Sequence, residues 1–321
     1  MHVVVYGLGA VGGSIAAALA RERHSVTGIA RGAHLTAIQE NGLRFRGPGF
    51  DDRVAVKAVS DPSQISFGPD DLILLAMKSQ DTQAALEALR LAGVKDQPIF
   101  CLQNGVANER MALRLFPNVH GATVMMPSTH LEPGEVAVFG EPRYGIFDLG
   151  RFPSGCDHAD QMLSDLLDDA GFAGFPLPDV MARKYGKLLM NLGNILKAAL
   201  GKSTETKELH DRLKAEALAV YKAAGIDWYD VGSADPRRDQ LLRFVDVPGL
   251  ERGLGSTTQS LARGMPLETD YLNGEIALLG RLHDVPTPLN SGLTRLAAQM
   301  SAQSAAPGSL TMDELIKAIG T

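Results

Sequence analysis

The run VVVYGLGAVGGSIAAALA, residues 3–20, passes from a β-branched stretch through a cluster of glycines into an alanine-rich helical pattern. A strand that leads through Gly-x-Gly-x-x-Gly into a helix is the turn on which dinucleotides sit. Gly7 permits the tight bend, Gly9 lets a pyrophosphate approach the backbone, and Gly12 lets the helix pack closely on the strand. From Gly7 through Leu8, Gly9, Ala10, Val11 and Gly12, the turn offers free N–H groups and the positive end of a helix dipole to phosphate oxygens. The competing reading is an incidental glycine-rich turn. The motif's place after a strand and within a βαβ pattern favours the dinucleotide.

The alternation continues beyond it. Candidate strands at residues 2–6, 25–30, 71–77 and 98–102 are separated by amphipathic stretches, as in a parallel sheet with crossover helices. Between residues 121 and 149, apolar runs broken by Pro133-Gly134 and Glu141-Pro142 predict an antiparallel appendage. A helical segment at 163–171 leads to Pro176 and Pro178, a hinge. From Val180 onward the strand signal ceases, and helical patterns cover 180–200, 206–224, 236–246, 267–282 and 289–303. A last helix opens on a capping box formed by Thr311 and Glu314. A chain of 321 residues is expected to form about two domains. The fold class is therefore α/β: a Rossmann-like, mostly parallel sheet domain over residues 1–178, followed by an all-helical domain over 179–321.

The composition, 45% hydrophobic and 21% charged, is that of a soluble globular protein. With 31 Lys+Arg against 37 Asp+Glu, the net charge of −6 disfavours a nucleic-acid partner. The N-terminal run resembles a secretory apolar region but lacks a basic flank, and no apolar stretch is long enough to span a membrane. Cys101 and Cys156 provide no disulfide framework, which suits the cytoplasm. Cys156, Asp157, His158 and Asp160 crowd one loop without the spacing of a zinc site, so no metal is expected. HExxH, GxSxG and Tyr-x-x-x-Lys patterns are all absent from the sequence.

NAD-binding chains place an acid after the second strand to meet the ribose hydroxyls. Here that strand runs into SVTGIARGAH, with Arg31 and no acid. A guanidinium matches a phosphate, so NADP(H) is the expected cofactor unless Arg31 is simply solvated. The segments Met77-Lys78-Ser79-Gln80 and Leu102-Gln103-Asn104-Gly105 close two further strands. Ligands of open α/β sheets bind beyond such ends, which brings Lys78 and Asn104 to the cofactor, although Asn104 before Gly105 also suits a plain turn.

The ordered series GLGAVG (7–12), MKSQ (77–80), QNGV (103–106), KLLMN (187–191) and LETDYLNG (267–274) resembles the ketopantoate reductase (2-dehydropantoate 2-reductase) family over nearly the whole chain. The resemblance implies NADPH-dependent reduction of 2-dehydropantoate to (R)-pantoate, in pantothenate biosynthesis, with the site in a cleft between a sheet domain and a helical one. It makes Lys187 the catalytic lysine and Glu268 the carboxylate that serves catalysis and cofactor. Asn104 corresponds to the asparagine near nicotinamide and substrate, Asn191 to a substrate-binding asparagine, and Ser256 to a serine that helps hold the substrate carboxylate. Two positions depart from the pattern. Ile195 stands where a second pocket asparagine is expected, with Asn194 one residue earlier, and Thr204-Glu205-Thr206 occupies the place of another. A related 2-keto acid or other small carbonyl compound thus stays open as substrate.

Lys187, Asn191 and Asn194 fall at i, i+4 and i+7 of an otherwise apolar helix and stack on one face. A buried amide without partners costs about 1–3 kcal/mol, and an unpaired ammonium more. Gly186 and Gly193 each cost about 1 kcal/mol relative to alanine in a helix. Such local violations collect at functional sites, so the stripe reads as the floor of the cleft. The alternative is that Lys187 reaches water along its stem while the asparagines pair with neighbouring helices. In the functional reading the Lys187 ammonium protonates the keto oxygen as hydride arrives at the carbon, and Glu268 keeps it charged. Glu268 just after Pro266 also suits a helix N-terminus. Competing functions are a dehydrogenase or imine reductase for another substrate, and a non-catalytic NADP(H)-sensing protein. Helices 206–224 and 289–303 could bury their apolar faces within one chain or across a homodimer.

Overall fold

Because a strand covered on both faces needs no polar side, Val3, Val4 and Val5 can follow one another, and they form β1 (Val3–Tyr6) inside a sheet. The computed structural model describes residues 1–130, 132–232, 234–250 and 255–320. Its contacts separate two compact units. One comprises Met1–Gln103, Asn108–Lys184 and Val231–Arg252; the other comprises Asn104–Ala107, Tyr185–Asp230 and Gly253–Thr321. The division therefore falls inside a helix, Val180–Asn191, rather than at residue 178, and neither unit is continuous in sequence.

In the first unit, β1 is followed by β2 (Val26–Ile29), β3 (Leu43–Gly47), β4 (Phe50–Val54), β5 (Lys57–Val59), β6 (Leu72–Leu75) and β7 (Ile99–Cys101). Next come β8 (Val119–Met125), β9 (Ser128–His130), β10 (Glu135–Val138), β11 (Gly140–Pro142), β12 (Ile146–Arg151), β13 (Ala173–Pro176) and β14 (Leu242–Phe244). An eight-stranded sheet has the order β13-β12-β8-β7-β6-β1-β2-β5. Every pairing in it is parallel except β12 with β8. Apolar clusters cover both faces, one including Ile15, Phe45, Phe147 and Phe172, the other Leu86, Leu89 and Phe116. β1 lies between β6 and β2, the point where successive crossovers leave in opposite directions.

Three expectations are corrected here. The stretch expected as an antiparallel appendage instead supplies β8 and β12 to the main sheet, while β9 and β10 join β3 and β4 in a four-stranded sheet of order β4-β3-β10-β9. Second, strands do not cease at Val180, because Leu242–Phe244 pairs antiparallel with β11. Within this unit the stretch leading into β14 is fastened by Arg237, which donates to Asp148 at 2.7 and 3.3 Å and to Asp235 at 2.6 Å. Burial pushes the Asp148 carboxyl up and the Arg237 bonds pull it down; the two-pronged geometry to an arginine marks the pair as ionised.

Third, the helix expected over 180–200 is two helices, breaking after Asn191 and resuming at Asn194–Leu200. A side chain at Gly193 would approach the His210 ring to 3.2 Å, and one at Gly186 would collide with the Tyr229 carbonyl. The backbone clash at Gly186 and the tight contact at Gly193 give both glycines a packing reason. The rest of this unit is helical: Lys207–Ala224, Ser256–Ala262, a 3₁₀ turn at Glu268–Tyr271, Asn273–Leu282, Pro288–Ala302 and Met312–Ile319. Thr311 and Glu314 form the expected capping box. Leu209, Leu213 and Val220 on one helix, and Leu289, Leu293 and Leu296 on another, are buried within the chain itself. Among the described residues no helix is long and apolar enough to cross a membrane.

Candidate active site

The glycine turn has the features a dinucleotide needs. Gly7 adopts φ +99°, and a Cβ there would lie 2.7 Å from the Met77 nitrogen, so only glycine fits. A Cβ on Gly12 would collide with the Gly7 carbonyl. At Gly9, which caps the helix Ala10–Arg21, a Cβ would meet nothing within 4 Å, and no side chain caps the helix start. The backbone at Gly9 thus has open space beside it at the positive end of a helix, the kind of place where a pyrophosphate fits. Leu8 between the glycines is buried against Gly28.

Sheet register brings the other cofactor candidates to the same edge. Gly7 N–H donates to the Ile29 carbonyl at 3.0 Å, and Ala76 N–H donates to the Tyr6 carbonyl at 2.8 Å. Arg31, two residues past β2, and Lys78, three past β6, therefore flank the turn. The Arg31 side chain is 79% exposed and has Asp81 at 3.7 Å. The loops after β6 and β7 are joined by buried bonds: Gln103 Nε2 donates to Thr82 Oγ1 (3.1 Å), Thr82 Oγ1 to Asn108 Oδ1 (2.8 Å), and Asn108 Nδ2 to Ser79 Oγ (3.1 Å). Sequence reasoning found both loops but not the network between them.

The remaining candidates lie in the second unit. Asn104 is half-buried, and the following Gly105 at φ +81° makes the turn that this dipeptide suggested. Lys187 is half-buried in its helix, and Glu268 is buried at the start of its 3₁₀ turn; neither lacks a partner. The break after Asn191 leaves the Leu192 carbonyl without a helical donor, and Asn273 Nδ2 fills it at 3.1 Å. Asn273 is itself held by Asn290 Oδ1 at 3.0 Å, and Asn290 by Glu216. This bridge fastens the segment five residues after Lys187 to the helix that begins five residues after Glu268. Asn273 stands within LETDYLNG, but a helix break that needs its amide is not visible in that motif.

Asn194 Nδ2 reaches Asn191 Oδ1 at 3.5 Å, while Asn191 Nδ2 is buried without a hydrogen-bond partner. Asn194 also lines a cavity of about 320 Å³ with Lys197, Lys202, Gly255, Thr257 and Thr258. Ser256 is exposed between two of these residues, and Thr257 and Thr258 are buried. The described lining carries two cationic side chains and no acidic one, which suits a small anion.

The suspected loop at Cys156 holds no metal set of its own; instead Asp157 and Asp160 cap a helix. They approach His120, whose Nδ1 lies 2.8 Å from Asp160 Oδ1 and whose Nε2 lies 3.1 Å from Asn118 Oδ1. Asn118 Oδ1 also accepts from Arg151, so the ring is held between Asp160 and Asn118 in a buried polar network.

Comparison with known proteins bears on the family and the fold. Residues 3–154 match the family described as ketopantoate reductase PanE/ApbA, and residues 179–301 match its C-terminal domain. A 2-dehydropantoate 2-reductase of Pyrococcus horikoshii is 27% identical over 295 residues, covering 90% of this chain and 94% of its own. The crystal structure of a PanE/ApbA family ketopantoate reductase from Ralstonia eutropha superposes with TM-score 0.79 at 30% identity, covering 95% of this chain and 99% of that one. A D-mandelate dehydrogenase solved with NADH and anilino(oxo)acetate shares the fold, with TM-score 0.77, 23% identity and coverage of 95% and 99%. A chain whose two parts both match the same family, and which aligns nearly end to end with one of its solved members, belongs to the ketopantoate reductase family.

Proposed function

We propose that the chain reduces a small 2-keto acid to the 2-hydroxy acid with NADPH, 2-dehydropantoate to (R)-pantoate being the pair its named relatives favour. The observation that carries the reading is the Asn273 bridge to the Leu192 carbonyl, which fastens together the segments bearing Lys187 and Glu268. NADPH, held at Gly7 to Gly12 with Arg31 at its 2′-phosphate and Lys78 and Asn104 nearby, supplies the hydride when bound. The Lys187 ammonium stabilises the charge that grows on the keto oxygen and gives it a proton. Glu268, buried, keeps that amine protonated and oriented. The unpartnered Nδ2 of Asn191 donates to the substrate, and Asn194, Ser256 and the lysine-lined cavity receive its carboxylate. The unpaired Cys101 and Cys156 suit a cytoplasmic setting. The test is a panel of 2-keto acids assayed for NADPH oxidation, with NADH as control. Turnover is expected with 2-dehydropantoate or a close relative; an enzyme that binds NADPH yet reduces no 2-keto acid would refute the reading.

A further inference from the structure

The glycine turn is gripped from outside by a residue to which no role has been assigned. His34, in the helix Gly32–Asn41, places Nε2 2.7 Å from the Leu8 carbonyl oxygen. A carbonyl only accepts, so Nε2 carries the hydrogen. The other nitrogen, Nδ1, receives the Gly134 N–H at 2.8 Å and therefore carries the lone pair. The ring is thus held as one neutral tautomer, and its burial, which pushes the pKa down, favours the same state. His130 of β9 packs edge-on against it with ring centroids 4.4 Å apart, and its Nε2 lies 3.2 Å from the same Nδ1. The imidazole consequently ties the turn after β1 to the loop between β9 and β10.

A peptide unit is planar, so the Leu8 carbonyl and the Gly9 N–H point in opposite directions. Fixing one aims the other. Glycine at position 9 lets that peptide unit rotate readily, and the open side of Gly9 is where a phosphate approaches. We propose that His34 is a positioning residue that aims the Gly9 N–H at the dinucleotide pyrophosphate by clamping the Leu8 carbonyl. This rests on the reading that the turn binds NADP(H).

The test is direct titration of the full chain with NADPH by fluorescence, without keto acid, alongside steady-state kinetics. His34→Ala removes the bonds to Leu8 and from Gly134 together with the His130 contact, and is expected to weaken NADPH binding by about five- to tenfold. At saturating NADPH kcat should stay within about twofold of wild type, because the clamp acts on binding alone. His34→Gln can donate to Leu8 and accept from Gly134 through one amide, and should recover most of the affinity. His34→Leu keeps the bulk without the bonds and replaces alanine if that variant fails to fold. Equal NADPH affinity in the wild type and the bond-deleting variants would overturn the clamp, as would a loss that His34→Gln does not repair. A wild-type chain that binds no dinucleotide would sink the cofactor reading and the clamp together.

Discussion

The Lys184 ammonium lies 2.6 Å from Glu109 Oε1, with both side chains buried. The same ammonium donates to the carbonyls of Cys101 (3.2 Å), Gln103 (2.9 Å) and Ala122 (3.3 Å). The Glu109 oxygens accept no well-aligned hydrogen bond, so this ionic contact is what compensates them. Three residues before Lys187, Lys184 pins the first turns of that helix to the end of β7 and the middle of β8.

Removing one member leaves the other charge buried and alone. Lys184→Met should lower stability by about 3–5 kcal/mol in denaturant unfolding. The double variant Lys184→Met with Glu109→Leu should lose clearly less than the sum of the single changes, because no charge is stranded. Additive losses would show that the pair is not coupled.

Arg31 and Asp81 make an exposed ion pair, which contributes little to stability and leaves the guanidinium available. Arg31→Ala should narrow the preference for NADPH over NADH by about tenfold, mainly through the KM for NADPH. Asp81→Asn should widen it, since a carboxylate near a 2′-phosphate is repulsive. Ratios that do not move in either variant would remove Arg31 from cofactor recognition.

Burial lowers the pKa of His2, His34 and His210. Below pH 6.5 the unfolded chain therefore binds protons at these sites that the folded chain resists. Stability is full above that pH and is lost as the pH falls toward the lowered values. Raised by burial, the Asp148 carboxyl acts in the opposite sense, but only in the carboxylate range. The melting temperature should fall by a few degrees between about pH 7.5 and about pH 5.5. A melting temperature that holds or rises over that interval would contradict the assignment.

The glycine turn was legible because strand, turn and helix follow one another within one short run, and each glycine has a local steric reason. The helices Lys207–Ala224, Asn273–Leu282 and Pro288–Ala302 were legible because their apolar faces are long, whereas Ser256–Ala262 was not expected and the helix expected over 236–246 stops at Leu241. By contrast, β3 reads Leu-Arg-Phe-Arg-Gly, with Arg44 and Arg46 half-buried and paired to Glu135, and its partner β10 comes from a distant segment, so pairing rather than propensity defines it. Leu192 and Gly193 look helical in isolation; the break becomes visible only with His210 and Asn273 in place. Lys184 likewise passes for an ordinary helix lysine until Glu109 is beside it.

The central claim is that Lys187 is the proton donor. Its most direct measurement is steady-state NADPH oxidation by Lys187→Ala on the best 2-keto acid, with NADPH binding measured in parallel. The account predicts that kcat falls by about 10²- to 10⁴-fold while NADPH affinity is nearly retained. A variant that turns over at the wild-type rate would contradict it.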